Sequence, residues 1–340
     1  MEESVVAAVL CGLGAWLPPR VLTNEEIATR LDTSDEWIRS RTGIAERRVA
    51  GPGTSTVDMA VAAGELALAS AGAGDPAAEA PAVDAVVLAT ATPDQVCPAS
   101  APQVAARLGL GEVNAVDVNA VCSGFLYALA TASGFIAGGI ARRVLVVGAD
   151  AFTTLVDPDD RGTVPIFGDG AGAVVLRAGD ADELGALGPF ALHSDGALAD
   201  LLMVPAGGAK QRRSDDPRDY FLDMQGQAVF RQASTRMAEA SRTVLDQAGW
   251  TVGDVDRFIG HQANIRILQS TAKYLGLPQD ALVVNIERTG NTSAASIPLA
   301  MADAQRDGNL MAGQKVLLSA FGAGLTWGAT LLRWPALVGA

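Results

Sequence analysis

Cys122 follows the apolar run 115–118 and opens a long stretch without charge. A thiol at the start of a helix feels the positive end of the macrodipole, which lowers its pKa and raises its thiolate fraction. Ser123 and Gly124 leave room around the sulfur, and a sharp strand-to-helix turn would expose it. Such a thiol is a nucleophile for covalent catalysis; the alternative is a small buried hydrophobe, as most free cysteines are. The chain has only two histidines. His261, in Gly260-His261-Gln262-Ala263-Asn264, sits past one apolar run and before the helical pattern 265–274. It reads as a partner for Cys122 if the fold brings them together, and otherwise as an isolated histidine. His193 has nothing nearby to complete a site and reads as a surface or turn residue. Asn291, in Thr289-Gly290-Asn291-Thr292-Ser293, is on its own terms a turn residue. No cluster has metal-ligand spacing, and two histidines argue against a zinc site. The Gly-rich run 167–172 lacks the lysine of a phosphate loop and leads into a strand rather than a helix.

The elements around these residues are short apolar β-type runs alternating with helical stretches. Val83–Leu88, Val144–Val147 and Val316–Leu318 read as buried strands, and 227–248 as a helix between such runs. This alternation predicts a mostly parallel α/β sheet. A weak duplication runs through the chain. Val83-Asp84 matches Val255-Asp256, Leu108-Gly109-Leu110 matches Leu275-Gly276-Leu277, Cys122-Ser123-Gly124 matches Asn291-Thr292-Ser293, and Val144-Leu145-Val146 matches Val316-Leu317-Leu318. The offsets are 172, 167, 169 and 172. A repeat of this length is too long for a solenoid and fits two α/β halves about a pseudo-twofold axis. We place the halves at 1–177, carrying the cysteine, and 178–340, carrying the histidine and asparagine. Sites in open α/β sheets lie beyond the carboxyl ends of strands, so the loops at Cys122, His261 and Asn291 are expected to converge. The segments 71–81 and 207–219 read as surface loops.

Composition bounds the function. Of 340 residues, 49% are hydrophobic and 19% charged, and the formal charge is −13, which disfavours nucleic acid or anionic membrane as main partner. The exceptions are local clusters, one at Arg39, Arg41, Arg47 and Arg48. Three cysteines do not make a disulfide framework, so a reducing cytoplasm is expected. The acidic opening Met1-Glu2-Glu3-Ser4 has the wrong sign for a signal peptide. Residues 118–141 carry no charge and are long enough to span a bilayer, but their polar residues favour a strand end and a helix buried on all sides.

The segments around these residues resemble the β-ketoacyl-acyl carrier protein synthase III family of thiolase-fold condensing enzymes. The resemblance rests on Asp35-Glu36-Trp37-Ile38 with Arg41-Thr42-Gly43-Ile44, Cys122-Ser123-Gly124-Phe125, Asp160-Arg161-Gly162-Thr163, Phe167–Gly172, His261-Gln262-Ala263-Asn264, Gly290-Asn291-Thr292-Ser293 and Phe321-Gly322-Ala323-Gly324, in order along nearly the whole chain. It implies a duplicated α/β fold in a five-layer αβαβα sandwich, and a homodimer. Cys122 then matches the acyl-accepting nucleophile, and His261 and Asn291 the pair that promotes decarboxylation. The N–H groups of Cys122 and Gly324 match the oxyanion hole. Trp37 and Arg161 match the pair around the coenzyme A adenine, with Thr33, Arg41 and Asn264 along the same channel. Cys97 and Phe167 match acyl-pocket positions. Arg231, Arg266 and Lys273 match the patch that docks the acidic carrier protein, a local basic surface on an acidic enzyme.

The reaction implied is a decarboxylative Claisen condensation of an acyl-coenzyme A primer with malonyl-acyl carrier protein, requiring no metal or redox cofactor. With one histidine available at the site, an elongating ketosynthase that uses Cys and two His is excluded on inventory. Cys97 is smaller than the aromatic common at its position, which favours a primer longer or more branched than acetyl. Both fatty-acid initiation and priming of aromatic polyketides are within the family. Two alternatives stay open: an acyltransferase of the same fold that moves an acyl group without condensation, and a catalytically silent dimer partner.

Overall fold

The protein is described by a computed structural model that covers residues 6–73 and 83–337. The opening Met1–Ser4 lies outside the described residues, as does all of 71–81 beyond the helix end at 73. Five strands, Val6–Trp16 (β1), Ala85–Ala89 (β2), Asn114–Val118 (β3), Arg143–Asp150 (β4) and Gly170–Asp180 (β5), make one sheet in the order β1-β5-β4-β2-β3. Four more, Leu187–Ser194 (β6), Arg257–Gly260 (β7), Lys315–Gly322 (β8) and Thr326–Arg333 (β9), make a second in the order β7-β8-β9-β6. The expected parallel character holds only where a helical crossover intervenes, for β3-β2-β4 and β7-β8. The other pairings within the two sheets are antiparallel; for β8-β9 the short turn between Gly322 and Thr326 can only reverse the chain.

The helices that bear on the site are Asp35–Thr42 (α1), Thr56–Ala73 (α2), Gly124–Ala137 (α3), Gly226–Ala248 (α4), Ile265–Leu275 (α5) and Ser296–Arg306 (α6). Helix α2 covers the outer face of the first sheet, α4 with α5 covers the outer face of the second, and α3 and α6 lie between the sheets. The layers are therefore αβαβα. The apolar runs explain this directly. In β2, Ala85, Val87 and Ala89 face the central core and Val86 and Leu88 the outer one; in β4, Val144 and Val146 divide from Leu145 and Val147 in the same way. A strand covered on both faces has no polar face to show, so its sequence does not alternate.

The halves repeat at a constant spacing. Ala85 and Arg257, Arg143 and Lys315, Gly124 and Ser296 begin equivalent elements, each pair 172 residues apart. The counterpart of β3 is reduced to one parallel bridge between Phe258 and Leu282. The constant spacing also corrects the match made from sequence around Cys122. The one-turn helix Val121–Ser123 corresponds to Ser293–Ala295, so the counterpart of Cys122 is Ala294 and that of Asn291 is Asn119. Both turns begin with a non-glycine residue in the left-handed region, Val121 at φ 46° and Ser293 at φ 49°. Each of those residues donates its N–H to the asparagine two residues before it, Asn119 or Asn291. The shared polar letters of the two segments are too few to fix a three-residue difference; the backbone geometry fixes it.

The expected division between 177 and 178 falls inside β5, and the chain passes to the second half between Asp180 and Leu187. Helix α3 is not buried on all sides within one chain: Tyr127, Ala130, Thr131, Ser133 and Phe135 are half-buried and Gly134 is exposed. No helix among the described residues is long and apolar enough to cross a membrane. Arg47 is not part of an exposed basic cluster. It is fully buried, its guanidinium donating to Leu22 O, Asn24 Oδ1 and Pro165 O, and burial lowers its pKa to about 10. Segment 207–219 is largely exposed, as expected of a surface loop.

Candidate active site

Cys122 sits at the carboxyl end of β3, in the turn that precedes α3, and is 6% exposed. The left-handed φ of Val121 is an outlier for a β-branched residue and of the kind that persists only where surrounding structure holds it. That structure is visible. Ser123 Oγ lies 2.7 Å from Thr326 Oγ1, and both hydroxyls reach Ala120 O. Gly322 lies beneath the turn: a Cβ there would sit 2.8 Å from Ser123 N and 2.9 Å from both Ala120 O and Cys122 N. Only glycine lets the end of β8 approach so closely. Gly324 follows at φ 128°, again a glycine conformation. Neither the Cys122 nor the Gly324 N–H is used in the backbone hydrogen bonds of these turns.

His261 follows β7, its N–H donating to Ser319 O, and is 2% exposed. Its Nδ1 is 2.6 Å from Ser296 Oγ at the start of α6. Asn291 is held on both sides of its backbone, N–H to Ile166 O at 2.8 Å and its carbonyl accepting from Gly168 N–H at 2.9 Å. Its side-chain Oδ1 accepts from Ser293 N–H at 2.9 Å, which leaves Nδ2 as the donor end. Cys122, His261 and Asn291 all line one cavity of 310 Å³, together with Phe167, Leu202, Met224, Phe230, Met237 and Phe321. The convergence expected from the duplication is thus found.

The electrostatics differ from expectation. The helix-terminus argument has the thiol pKa lowered, but burial pushes Cys122 up to about 12, and the nearby Asp150 charge acts in the same direction. Burial alone lowers His261 to about 3. The resting pair is therefore neutral thiol and neutral imidazole, not thiolate and imidazolium. Asp150 is a functional residue that motif and spacing do not mark; its one signal in the sequence is a lone carboxylate closing a buried apolar strand. It is fully buried; Oδ1 accepts from Thr90 O–H, Ala91 N–H and Thr92 O–H, and Oδ2 from Ala294 N–H, 3.1 Å away. Burial raises its pKa. Asp150 supports the turn after Asn291 from the position that Gly322 occupies beneath Cys122. Among the described residues no group of three His, Cys, Asp or Glu could hold a metal ion.

The cavity opens between α1, α4 and α5. Trp37 and Arg41 line its mouth with Asn264. Asn264 caps α5 by accepting from Arg266 N–H, and its Nδ2 donates to Arg41 O, while Arg266 Nη2 donates to Ser40 O, so α1 and α5 are tied across the entrance. The guanidiniums of Arg41 and Arg161 lie 4.8 and 5.2 Å from the Trp37 ring centroid. Arg161 is also paired with Asp32 at 2.9 Å. A flat ring needs contact distances of about 3.5–4 Å on each face, so Arg161 must swing outward to admit one beside Trp37. Arg231, Arg266 and Lys273 border two shallow depressions that share Phe230 with the cavity. Thr33 is half-buried and does not line the cavity. Cys97 is exposed on the loop after β2 and is likewise absent from the cavity wall. Phe167 is in the wall, stacked on Phe152 at 4.6 Å.

Models of 3-oxoacyl-[acyl-carrier-protein] synthase III match residues 116–196, and of its C-terminal part residues 245–334. A curated relative from Streptomyces coelicolor, β-ketoacyl-[acyl-carrier-protein] synthase III 3, is 56% identical over 334 residues, 97% of this chain and 98% of that one. This chain belongs to the β-ketoacyl-acyl carrier protein synthase III family. The synthase III of Pseudomonas aeruginosa is 52% identical over 98% of each chain, and a crystal structure of the enzyme from that organism superposes with a TM-score of 0.91, 51% identity and coverage of 98% and 99%. The priming β-ketosynthase of the R1128 polyketide pathway superposes with a TM-score of 0.89 at 36% identity, covering 98% of each. The synthase III fold, with its thiolase-like duplication, is thus the fold of this chain.

Proposed function

We propose that this synthase III condenses an acyl-coenzyme A primer with malonyl-acyl carrier protein, releasing CO2 and coenzyme A and giving a β-ketoacyl-carrier protein. The observation that carries this is one cavity lined at once by a thiol, an imidazole and a carboxamide, with Gly322 packed against the backbone of the thiol's turn. In the first half-reaction Cys122 Sγ attacks the primer thioester. The Cys122 and Gly324 N–H groups face the developing oxyanion, each such donor worth about 2.7–4 kcal/mol. The C–S bond to coenzyme A breaks, and the proton lost by the Cys122 thiol ends on the coenzyme A thiol. Because the resting thiol is protonated, its proton leaves as the C–S bond forms rather than beforehand.

In the second half-reaction His261 and Asn291 Nδ2 donate to the malonyl thioester carbonyl. Breaking the bond to CO2 moves an electron pair into an enolate whose oxygen carries the charge. Donors aimed at that oxygen gain strength as the charge grows, which lowers the barrier. The enolate carbon attacks the acyl group on Cys122, and the sulfur leaves and takes up one proton. A neutral imidazole suits this role, since it donates a hydrogen bond without handing over a proton.

Trp37, Arg41, Arg161 and Asn264 at the mouth are read as the coenzyme A contacts, and Arg231, Arg266 and Lys273 as the carrier-protein surface. Thr33, like Arg161, lies outside the cavity wall, next to Asp32, which pairs with Arg161, and is read with it as part of the outer channel. The free edge of β3 and the half-buried stripe on α3 suit a homodimer. We read the product as the start of a fatty acid or polyketide chain made in the cytoplasm. The test is turnover of malonyl-carrier protein with a panel of acyl-coenzyme A primers. Primer-dependent CO2 release with a β-ketoacyl product supports condensation; acyl transfer without CO2 release would assign the protein to the acyltransferases of this fold.

A further inference from the structure

A neutral imidazole has one N–H, and which nitrogen carries it decides whether His261 can act as a donor at all. Burial is the only influence that shifts His261, so no charged neighbour makes this choice. We infer that Ser296 makes it, by donating its hydroxyl proton to Nδ1 and so holding the His261 proton on Nε2. The assignment rests on counting donors around one oxygen. Ser296 is 2% exposed, and its Oγ has two neighbours: Gln262 N–H, which donates to it at 3.4 Å, and His261 Nδ1 at 2.6 Å. If Nδ1 also carried a proton, Oγ would accept twice, and its own proton would have no acceptor among the described hydrogen bonds. A buried hydroxyl rarely forgoes donating. Only the arrangement Ser296 O–H to Nδ1 uses every proton once.

The consequence reaches the cavity. Nδ1 is committed to the start of α6, so the free ring nitrogen, Nε2, is the one available to a ligand, and it is a donor. In that state His261 can polarise a thioester carbonyl but cannot take the proton of Cys122. The same segment, 291–296, thus supplies one decarboxylation donor directly and sets the other through a hydroxyl. Ser296 is a positioning residue, and the inference rests on the condensing role proposed above.

The chain has only two histidines, so the test is spectroscopic and direct. Protein labelled with 15N-histidine is examined by long-range proton–nitrogen correlation, with His193→Ala assigning the two rings. The expected spectrum gives His261 a protonated Nε2 and a hydrogen-bonded, unprotonated Nδ1. In Ser296→Ala the Nδ1 signal moves to the position of a nitrogen without a hydrogen bond. Malonyl decarboxylation falls about tenfold, the scale of one lost hydrogen bond. Acylation of Cys122 by acyl-coenzyme A stays within about threefold, and Ser296→Thr, which keeps the hydroxyl, recovers decarboxylation. A proton on Nδ1 in the unmodified protein overturns the inference whatever the variants do, as does full decarboxylation by Ser296→Ala. Failure of the condensation reading appears differently, as absence of CO2 release in a protein whose His261 spectrum is as expected.

Discussion

Gly322→Ala isolates the positioning of the nucleophile from its chemistry. The added methyl carbon would meet Ser123 N at 2.8 Å and Ala120 O and Cys122 N at 2.9 Å, all backbone atoms of the turn that carries the thiol. Ordinary contact requires about 3.5 Å, so the turn must move by roughly 0.6–0.7 Å. It cannot yield freely, since Ser123 Oγ is held to Thr326 Oγ1 and Val121 is already at φ 46°. Overpacking of this kind costs about 1–3 kcal/mol of stability. The kinetic effect is separate. A displacement of 1 Å in a reacting group costs about 100-fold, so about two thirds of that predicts a roughly twentyfold slower acyl transfer. The assay is single-turnover acylation from acyl-coenzyme A, followed by intact mass, beside alkylation of Cys122 by iodoacetamide. Alkylation builds no oxyanion and should change less than about threefold. Acylation within twofold of the unmodified rate, in a variant that folds, would refute the claim that Gly322 sets the oxyanion geometry.

Cys122→Ala should form no acyl-enzyme, read by mass after exposure to acyl-coenzyme A; acylated protein would remove Cys122 as nucleophile. His261→Ala should still acylate but lose malonyl decarboxylation by about 100-fold, the scale of one oxyanion donor, and unchanged CO2 release would contradict its role. Folding should weaken as pH falls from 6.5 towards 3. The unfolded chain takes up a proton on His261 there and the folded one, with its pKa near 3, does not, an effect of about 4 kcal/mol across the window. Denaturant melts in a pH series should show this slope, and His261→Ala should flatten it; an equal slope in both would refute it. Trp37→Ala should raise the KM for acyl-coenzyme A by roughly tenfold with little change in kcat, and an unchanged KM would take Trp37 out of the channel.

Much of this was legible because apolar patterning is local. The runs at 83–88, 144–147 and 316–318 announce buried strands, and their repetition announces two halves. The loops of Cys122 and His261 follow the neighbouring strands 114–118 and 257–260. What was not legible depends on three-dimensional register. The pairing of Cys122 with Ala294 rather than Asn291 turns on backbone angles at Val121 and Ser293 that no residue type dictates. Arg47 reads as a surface charge until Asn24, Leu22 and Pro165 are seen around it. At the thiol, burial and a carboxylate arriving from β4 push the pKa up against the helix terminus, and of the three only the terminus can be recognised from sequence. Ser296 is one serine among several, and only its 2.6 Å approach to His261 distinguishes it.

The 172-residue repeat divides the labour of the site by parentage. The turn from the first half carries the group that receives the primer; the turn and histidine loop from the second carry the groups that face the extender. Beneath the first turn lies Gly322, contributed by the second half, and beneath the second lies Asp150, contributed by the first. Each half is therefore the anvil for the other's tool. A change that adapts one half to a new primer is felt through the support that the opposite half provides, so the two halves must drift together even though each holds a different step.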